Sequence, residues 1–73
     1  MRRNALDLRG VPCPLSWAKA KVRLETMARG DQLELLLDDP QGAADIPRAA
    51  EASGHQVVTV LAGERDWRIT IEV

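Results

Sequence analysis

Six segments with strand or helix periodicity fill almost the whole of this 73-residue chain. In order, they are strand, helix, strand, helix, strand and strand. A strand, a crossover helix and a second strand form a right-handed parallel unit, whereas the short loop before the last strand makes the final pair an antiparallel hairpin. The sequence therefore predicts an α+β fold: a two-layer βαβαββ sandwich whose four-stranded mixed sheet carries two helices on one face. We expect one domain, residues 1–73, because so short a chain has no room for a second core.

Alternating apolar residues identify the strands. Leu6 and Leu8 alternate with polar neighbours near the N-terminus, and the last strand alternates from Trp67 onward. One face of each strand is therefore expected to be buried and the other to face water. The strands are predicted at Ala5–Leu8, Asp31–Leu37, Gln56–Leu61 and Trp67–Val73. The residues predicted to face water are Asp7, Glu34, Arg68, Thr70 and Glu72.

The first helix is predicted from Leu15 to Met27, with Gly30 as the residue that ends it. Its core-facing stripe has helical spacing and comprises Trp17, Ala20, Leu24 and Met27. A second, weaker stripe comprises Leu15, Ala18 and Val22. We favour packing of this second stripe at the edge of the core; the alternative is an exposed docking surface.

The second helix is expected within residues 41–53, where Pro47 complicates its course. Asp39 is a natural N-cap followed by Pro40. Either the helix runs through Pro47 with a kink, or its regular part begins near Asp45 with Pro47 in the first turn. We favour the later start, with Gly54 closing the helix.

Cys13 is the only cysteine and lies between Pro12 and Pro14. Proline suits the first helical position, so Pro14 is expected at that position and Cys13 at the N-cap. The free N–H groups and the dipole of a helix N-terminus favour a thiolate over a thiol. At such sites the pKa of a cysteine falls from about 8.5 to about 3.5–7.5. We therefore interpret Cys13 as a reactive nucleophile rather than a small buried hydrophobe.

The charges are unevenly distributed along the chain. Residues 1–30 contain seven Lys and Arg against two Asp and Glu, a net charge of +5, whereas residues 31–73 contain three against nine, a net charge of −6. Cys13 lies in the basic half, so a basic surround is expected to favour its thiolate and to attract an acidic partner.

Other sites are less well supported. His55 could pair with Cys13, but a polar residue at a strand edge is the favoured interpretation. Asp38 and Asp39 fit a turn and a helix cap better than acid–base chemistry or metal binding.

One cysteine excludes an internal disulfide framework, and we expect no metal and no cofactor. Stacking aromatics are absent among the bases, so direct nucleic-acid binding is not expected. No membrane span is expected, and a free thiol indicates the cytoplasm.

Several short runs resemble the TusA/SirA family of sulfur carrier proteins, whose signature is a glycine, two residues, then Cys-Pro-x-Pro. The resemblance implies a sheet order 1243 with the last strand antiparallel. It also implies that Cys13 accepts sulfane sulfur as a persulfide from a cysteine desulfurase or rhodanese and passes it to an acceptor protein. The recipient pathway would be tRNA thiolation, molybdenum cofactor synthesis or sulfur oxidation. The matching runs are residues 6–14, 29–31, 38–40, 45–47 and 54–57.

One position departs from the family pattern, because Ser16 replaces the second proline of the motif. At the third helical position, Ser16 is expected to offer an N–H that the sulfur of Cys13 can accept. Gly10, Pro14 and Ser16 are thus expected to support the motif. Residues expected to dock a partner are Leu15, Lys19, Val22 and Arg23.

The leading hypothesis is a monomeric sulfur-relay carrier with sulfurtransferase-like chemistry, rather than an independent enzyme. The alternative is a regulatory or scaffolding interaction module without sulfur transfer. A one-cysteine redox sensor is a third hypothesis, which needs a thiol on a partner.

Overall fold

The computed structural model describes residues 3–12 and 14–73 and confirms the predicted order of elements. Each of the six elements lies near the position that its hydrophobic pattern predicts. The first and last residues of the elements differ from the predicted ones by a few positions. Among the described residues, no helix has both the length and the apolar character to cross a membrane. The elements are β1 (Arg3–Asp7), α1 (Leu15–Glu25), β2 (Gln32–Leu37), α2 (Pro40–Ala52), β3 (Gln56–Ala62) and β4 (Trp67–Glu72).

The four strands form one sheet in the order β1-β2-β4-β3. β1 is parallel to β2, whereas β4 is antiparallel to both β2 and β3. The predicted order 1243 and the antiparallel last strand are thus confirmed. Because β1 and β2 are parallel neighbours, their carboxyl ends, at Asp7 and Leu37, lie at the same edge of the sheet.

The hydrophobic core lies between the sheet and both helices. Leu33, Leu35 and Leu37 of β2 are completely buried, as the alternating pattern predicts. They belong to one cluster with Ile69 and Ile71 of β4. The helices complete this cluster with Ala20 and Leu24 from α1 and Ile46 and Ala50 from α2. This packing fixes both helices on one face of the sheet.

The opposite face of the sheet is polar but less exposed than predicted. Asp7 and Arg68 are exposed, whereas Glu34 and Glu72 are half-buried. Thr70 is only 7% exposed, so its prediction as a water-facing residue is wrong. Thr70 belongs to the central strand β4, where Glu34 and Thr59 lie beside it on the neighbouring strands. Cross-strand neighbours on both sides cover a short side chain.

Both ends of α1 differ from the prediction. Pro14 occupies the N-cap position and Leu15 is the first helical residue, so Pro14 is not at the first helical position. Because Pro14 is the N-cap, the prediction that Cys13 is the N-cap is wrong; Cys13 itself lies outside the described residues. At the other end, the amide of Thr26 and its hydroxyl both donate to the Arg23 carbonyl, at 3.1 and 2.7 Å, which closes the helix before Met27.

The prediction that Gly30 ends α1 is therefore wrong. Gly30 has a φ of +92° in the turn into β2, and its N–H donates to the Val73 carbonyl at 3.0 Å. Glycine adopts this left-handed conformation without the steric cost of a Cβ. Its role is to bring the chain into the sheet beside the end of β4.

The favoured late start of α2 is wrong, because the helix begins at Pro40 and runs through Pro47. Asp39 is the N-cap as predicted, and its Oδ1 accepts the Gln41 N–H at 3.1 Å. Pro40 has the fixed φ that suits the first helical position, so the helix begins there. Gly54 follows the C-cap with a φ of +89°, which confirms that it closes the helix.

Candidate functional site

The loop that contains position 13 leaves the carboxyl end of β1 and leads into α1. Its start is fixed by Leu8, which is buried and donates to the Leu36 carbonyl at 2.8 Å. The chain then turns at Gly10, which has a φ of +79°. Pro12 and Pro14, on either side of Cys13, are both exposed. Cys13 itself lies outside the described residues, so its predicted role stays a prediction.

Asp38 fixes the loop from the neighbouring strand. Its Oδ1 accepts the Gly10 N–H at 2.9 Å. Asp38 follows β2 directly, and Gly10 lies three residues beyond β1, so the parallel pairing of these strands brings the two residues together. Sequence reasoning treated Asp38 as a turn residue and missed this contact. The available signal was that both residues follow the carboxyl ends of strands predicted to be parallel neighbours.

An ion pair lies at the beginning of the same loop. Arg9 donates to both carboxylate oxygens of Asp7, from Nε at 3.0 Å and from Nη2 at 2.9 Å, and its backbone N–H also donates to Oδ1. These contacts lower the pKa of Asp7 to about 2, and the Asp7 carboxylate raises the pKa of Arg9. About half of each side chain is exposed, so water screens the pair. The positive charge of Arg9 is thus paired with the carboxylate of Asp7.

The basic surround predicted for the cysteine is found along α1 but not at the loop. A shallow depression beside the loop is lined by Asp38 and Asp39, both from the acidic half of the chain, together with Gly10, Val11, Pro12 and Pro40. The three bases Lys19, Lys21 and Arg23 are exposed on α1. Folding therefore places two carboxylates from the acidic half of the chain beside the loop, while the exposed cations lie along α1.

Ser16 lies at the second helical position and is completely buried. The prediction that its N–H is available to the sulfur of Cys13 is wrong, because this N–H donates to the Pro12 carbonyl at 3.0 Å. Its Oγ has no hydrogen-bond partner among the described residues. A Cβ built on Gly42 of α2 would lie 3.3 Å from this Oγ, so the hydroxyl occupies space that the glycine leaves open.

The favoured packing of the weaker stripe of α1 at the core edge is wrong. Leu15 and Val22 are 51% and 63% exposed, and Ala18 is exposed as well. At about 100° per residue, this stripe lies on the side of the helix opposite to the buried Ser16, Ala20 and Leu24. The face formed by Leu15, Lys19, Val22 and Arg23, hereafter the outer face of α1, spans an arc of about 100° on that exposed side.

His55 lies at the other end of the molecule from the loop. It follows α2, whose first residues adjoin the loop and whose 13 residues extend for about 20 Å. Its backbone N–H donates to the Ala50 carbonyl at 3.0 Å, and its side chain is half-buried at the start of β3. This position agrees with the favoured interpretation of a polar residue at a strand edge. Among residues 3–12 and 14–73, no group of His, Cys, Asp and Glu is arranged to hold a metal ion.

Known proteins align with this chain over most of its length. A protein from Archaeoglobus fulgidus named "Putative sulfur carrier protein" is 38% identical over 70 residues, which are 94% of this chain and 80% of the relative. A protein of the same name from Thermotoga maritima is 35% identical over 71 residues, covering 96% of this chain and 90% of the relative.

A solved structure and a family model complete the comparison. The crystal structure of a SirA-like protein from Desulfitobacterium hafniense superposes with a TM-score of 0.82 over 96% of both chains, at 24% identity, which supports the fold. The family model described as Sulfurtransferase TusA matches residues 4–73, almost the full length. The chain belongs to the TusA family.

Proposed function

We propose that this protein is a sulfur carrier that holds a sulfane sulfur as a persulfide on Cys13 and passes it to a partner protein. The observation that carries the proposal is the loop around position 13: Pro12 and Pro14 are exposed, while Asp38 holds Gly10 in place. Exposed residues on both sides of position 13 leave room for a donor and then an acceptor to approach this loop. Family membership supports the same role.

The proposed chemistry is an exchange between two cysteines. The Cys13 thiolate attacks the terminal sulfur of a donor persulfide, and a new sulfur–sulfur bond forms as the donor's own bond breaks. The donor cysteine leaves as a thiolate, and the transferred sulfur keeps its proton until solvent removes it. In the second half, an acceptor thiolate attacks that terminal sulfur and Cys13 leaves as a thiolate. No electrons are gained or lost overall, so neither half needs a cofactor.

The outer face of α1 is the proposed docking surface for these partners. It combines exposed Leu15 and Val22 with the cations of Lys19 and Arg23, directly beyond the loop. Protein interfaces combine apolar residues with polar residues at their rim, and this face offers both kinds. The matching surface on a cysteine desulfurase or rhodanese would be apolar with carboxylates around it. We place this relay in the reducing cytoplasm, feeding tRNA thiolation, molybdenum cofactor synthesis or sulfur oxidation.

Intact-mass measurement tests the proposal directly. The protein is incubated with a cysteine desulfurase and cysteine, and the expected result is a gain of one sulfur atom that reductant removes. The matched control is Cys13→Ser, which keeps the size of the side chain and is expected to gain nothing. Failure of the wild-type chain to gain sulfur from several desulfurases and rhodaneses would contradict the proposal.

A second candidate function is a regulatory or scaffolding module, which the exposed apolar residues of α1 favour. Such a module would bind its partner through the outer face without using the thiol. Binding of a partner that survives unchanged in Cys13→Ser, together with no sulfur loading, would support this function instead.

A further inference from the structure

The connection from β2 to α2, together with the first turn of α2, contacts the cysteine loop at both of its ends. At the first end, Asp38 accepts the Gly10 N–H at 2.9 Å. At the second end, the Ser16 hydroxyl lies against Gly42, where a Cβ would come within 3.3 Å of it. Gly10 and Ser16, which lie on either side of position 13 in the chain, therefore both contact a segment of only five residues, 38–42.

A second hydrogen bond lies within the loop, between these two contacts. The Ser16 N–H donates to the Pro12 carbonyl at 3.0 Å, and this bond spans position 13 in the chain. A proline at position 16 has no N–H and cannot form the bond. The complete burial of Ser16 shields this hydrogen bond from water. Serine at this position thus provides a constraint that the family's proline would not.

We propose that Asp38 and Ser16 are positioning residues for Cys13, and that they fix the loop through the Gly10 N–H and the Pro12 carbonyl, respectively. This inference rests on the proposed function, because it takes Cys13 as the sulfur-bearing residue. Thiolate exchange needs the attacking sulfur in line with the bond that breaks, and small misplacements of a reacting group reduce rates severely. The hydrogen bonds at Gly10 and between Ser16 and Pro12 restrict the loop before any partner binds.

Two pairs of variants test the proposal. Asp38→Ala removes the acceptor, whereas Asp38→Asn keeps an oxygen that can accept the Gly10 N–H. Ser16→Pro removes the N–H, whereas Ser16→Ala keeps it and removes only the hydroxyl. We expect Asp38→Ala and Ser16→Pro to load sulfur from a desulfurase about tenfold more slowly than wild type, and the two conservative variants to stay within about twofold.

Alkylation of Cys13 by iodoacetamide, measured against pH, separates positioning from stability. The midpoint of this profile is expected to differ between Asp38→Ala and Asp38→Asn, which lose the same charge, and between Ser16→Pro and Ser16→Ala. A role in stability only would change the melting temperature and leave the midpoint where it is. Unchanged loading and an unchanged midpoint in both disruptive variants would overturn the proposal, as would equal losses in the conservative variants.

Hydrogen exchange of the wild-type chain provides a test that needs no variant. The amides of Gly10 and Ser16 are expected to exchange more slowly than an exposed loop amide, because both are hydrogen-bonded. Exchange at the rate of a free loop would overturn the proposal even if Ser16→Pro fails to fold. If the wild-type chain accepts no sulfur, the proposed function fails, but the alkylation profiles and the exchange rates still decide whether these residues position Cys13.

Discussion

The two sides of α1 differ in how deeply their residues are buried. The inner side, with Ser16, Ala20 and Leu24, is completely buried against the sheet and α2. The outer face has residues of similar apolar character, Leu15 and Val22, but more than half of each is exposed. Composition alone does not separate these two sides. Packing determines the inner side, whereas the outer face remains available to a partner.

The largest expected effect is on the inner side. Leu24→Ala is expected to lower the free energy of unfolding by about 2–5 kcal/mol, because it leaves a cavity in the only hydrophobic cluster that joins α1 to the sheet in the described residues. Leu15→Ala removes the same atoms from the outer face and is expected to change the stability by less than about 0.5 kcal/mol. Urea unfolding of both variants measures the difference. Similar losses in the two variants would mean that the outer face is packed in solution.

The next effect concerns partner docking. Arg23→Glu on the outer face is expected to slow sulfur loading by a desulfurase about tenfold, because it places an anion opposite the acidic surface proposed for the partner. Lys21→Glu makes the same change in charge on α1 but off that face, and is expected to have a much smaller effect. Loading rates at low and high salt measure both variants, and salt should reduce the difference between them. Equal rates for the two variants would remove the outer face as the docking surface.

The contrast between the two sides also shows what could be predicted from the sequence. The strands have a period of two and a clear apolar face, so Leu33, Leu35 and Leu37 were placed correctly. The buried side of α1 was predicted through Ala20 and Leu24. These predictions succeeded because they depend on neighbours along the chain.

Features that depend on distant residues were not predicted. The contact of Asp38 with Gly10 requires the parallel pairing of β1 and β2, and the burial of Thr70 requires strands on both sides of β4. The start of α2 is a different case, because its determinants are local: the cap at Asp39 was predicted, but Pro47 was wrongly expected to delay the helix. For Cys13, sequence and family resemblance supply the proposed role, while the structure supplies the surroundings of the loop.

Ser16 is an exception on the inner side, because it is polar and its Oγ is buried without a partner in the described part of the chain. A buried hydroxyl that has lost water and gained no hydrogen bond is destabilising. Ser16→Ala is therefore expected to raise the free energy of unfolding by about 1 kcal/mol while keeping the N–H that bonds to Pro12. Ser53→Ala makes the same substitution at an exposed position and serves as the control in urea unfolding. A loss of stability in Ser16→Ala would show that the hydroxyl has a partner in solution.

The smallest expected effect is that of the exposed ion pair between Asp7 and Arg9. The pKa of Asp7 is about 2 in the folded chain, below its ordinary value of 3.8, so the folded state favours the charged carboxylate. The resulting stabilisation is fully present above pH 3.8 and is lost as the pH falls through about 2. Arg9 remains charged throughout this range, so its own titration contributes nothing. Melting temperatures of wild type and Asp7→Asn, measured between these pH values, should converge as the pH falls. Because the pair is half-exposed, added salt should reduce the difference at the upper end, and a difference that grows with acid would contradict the assignment of the pair.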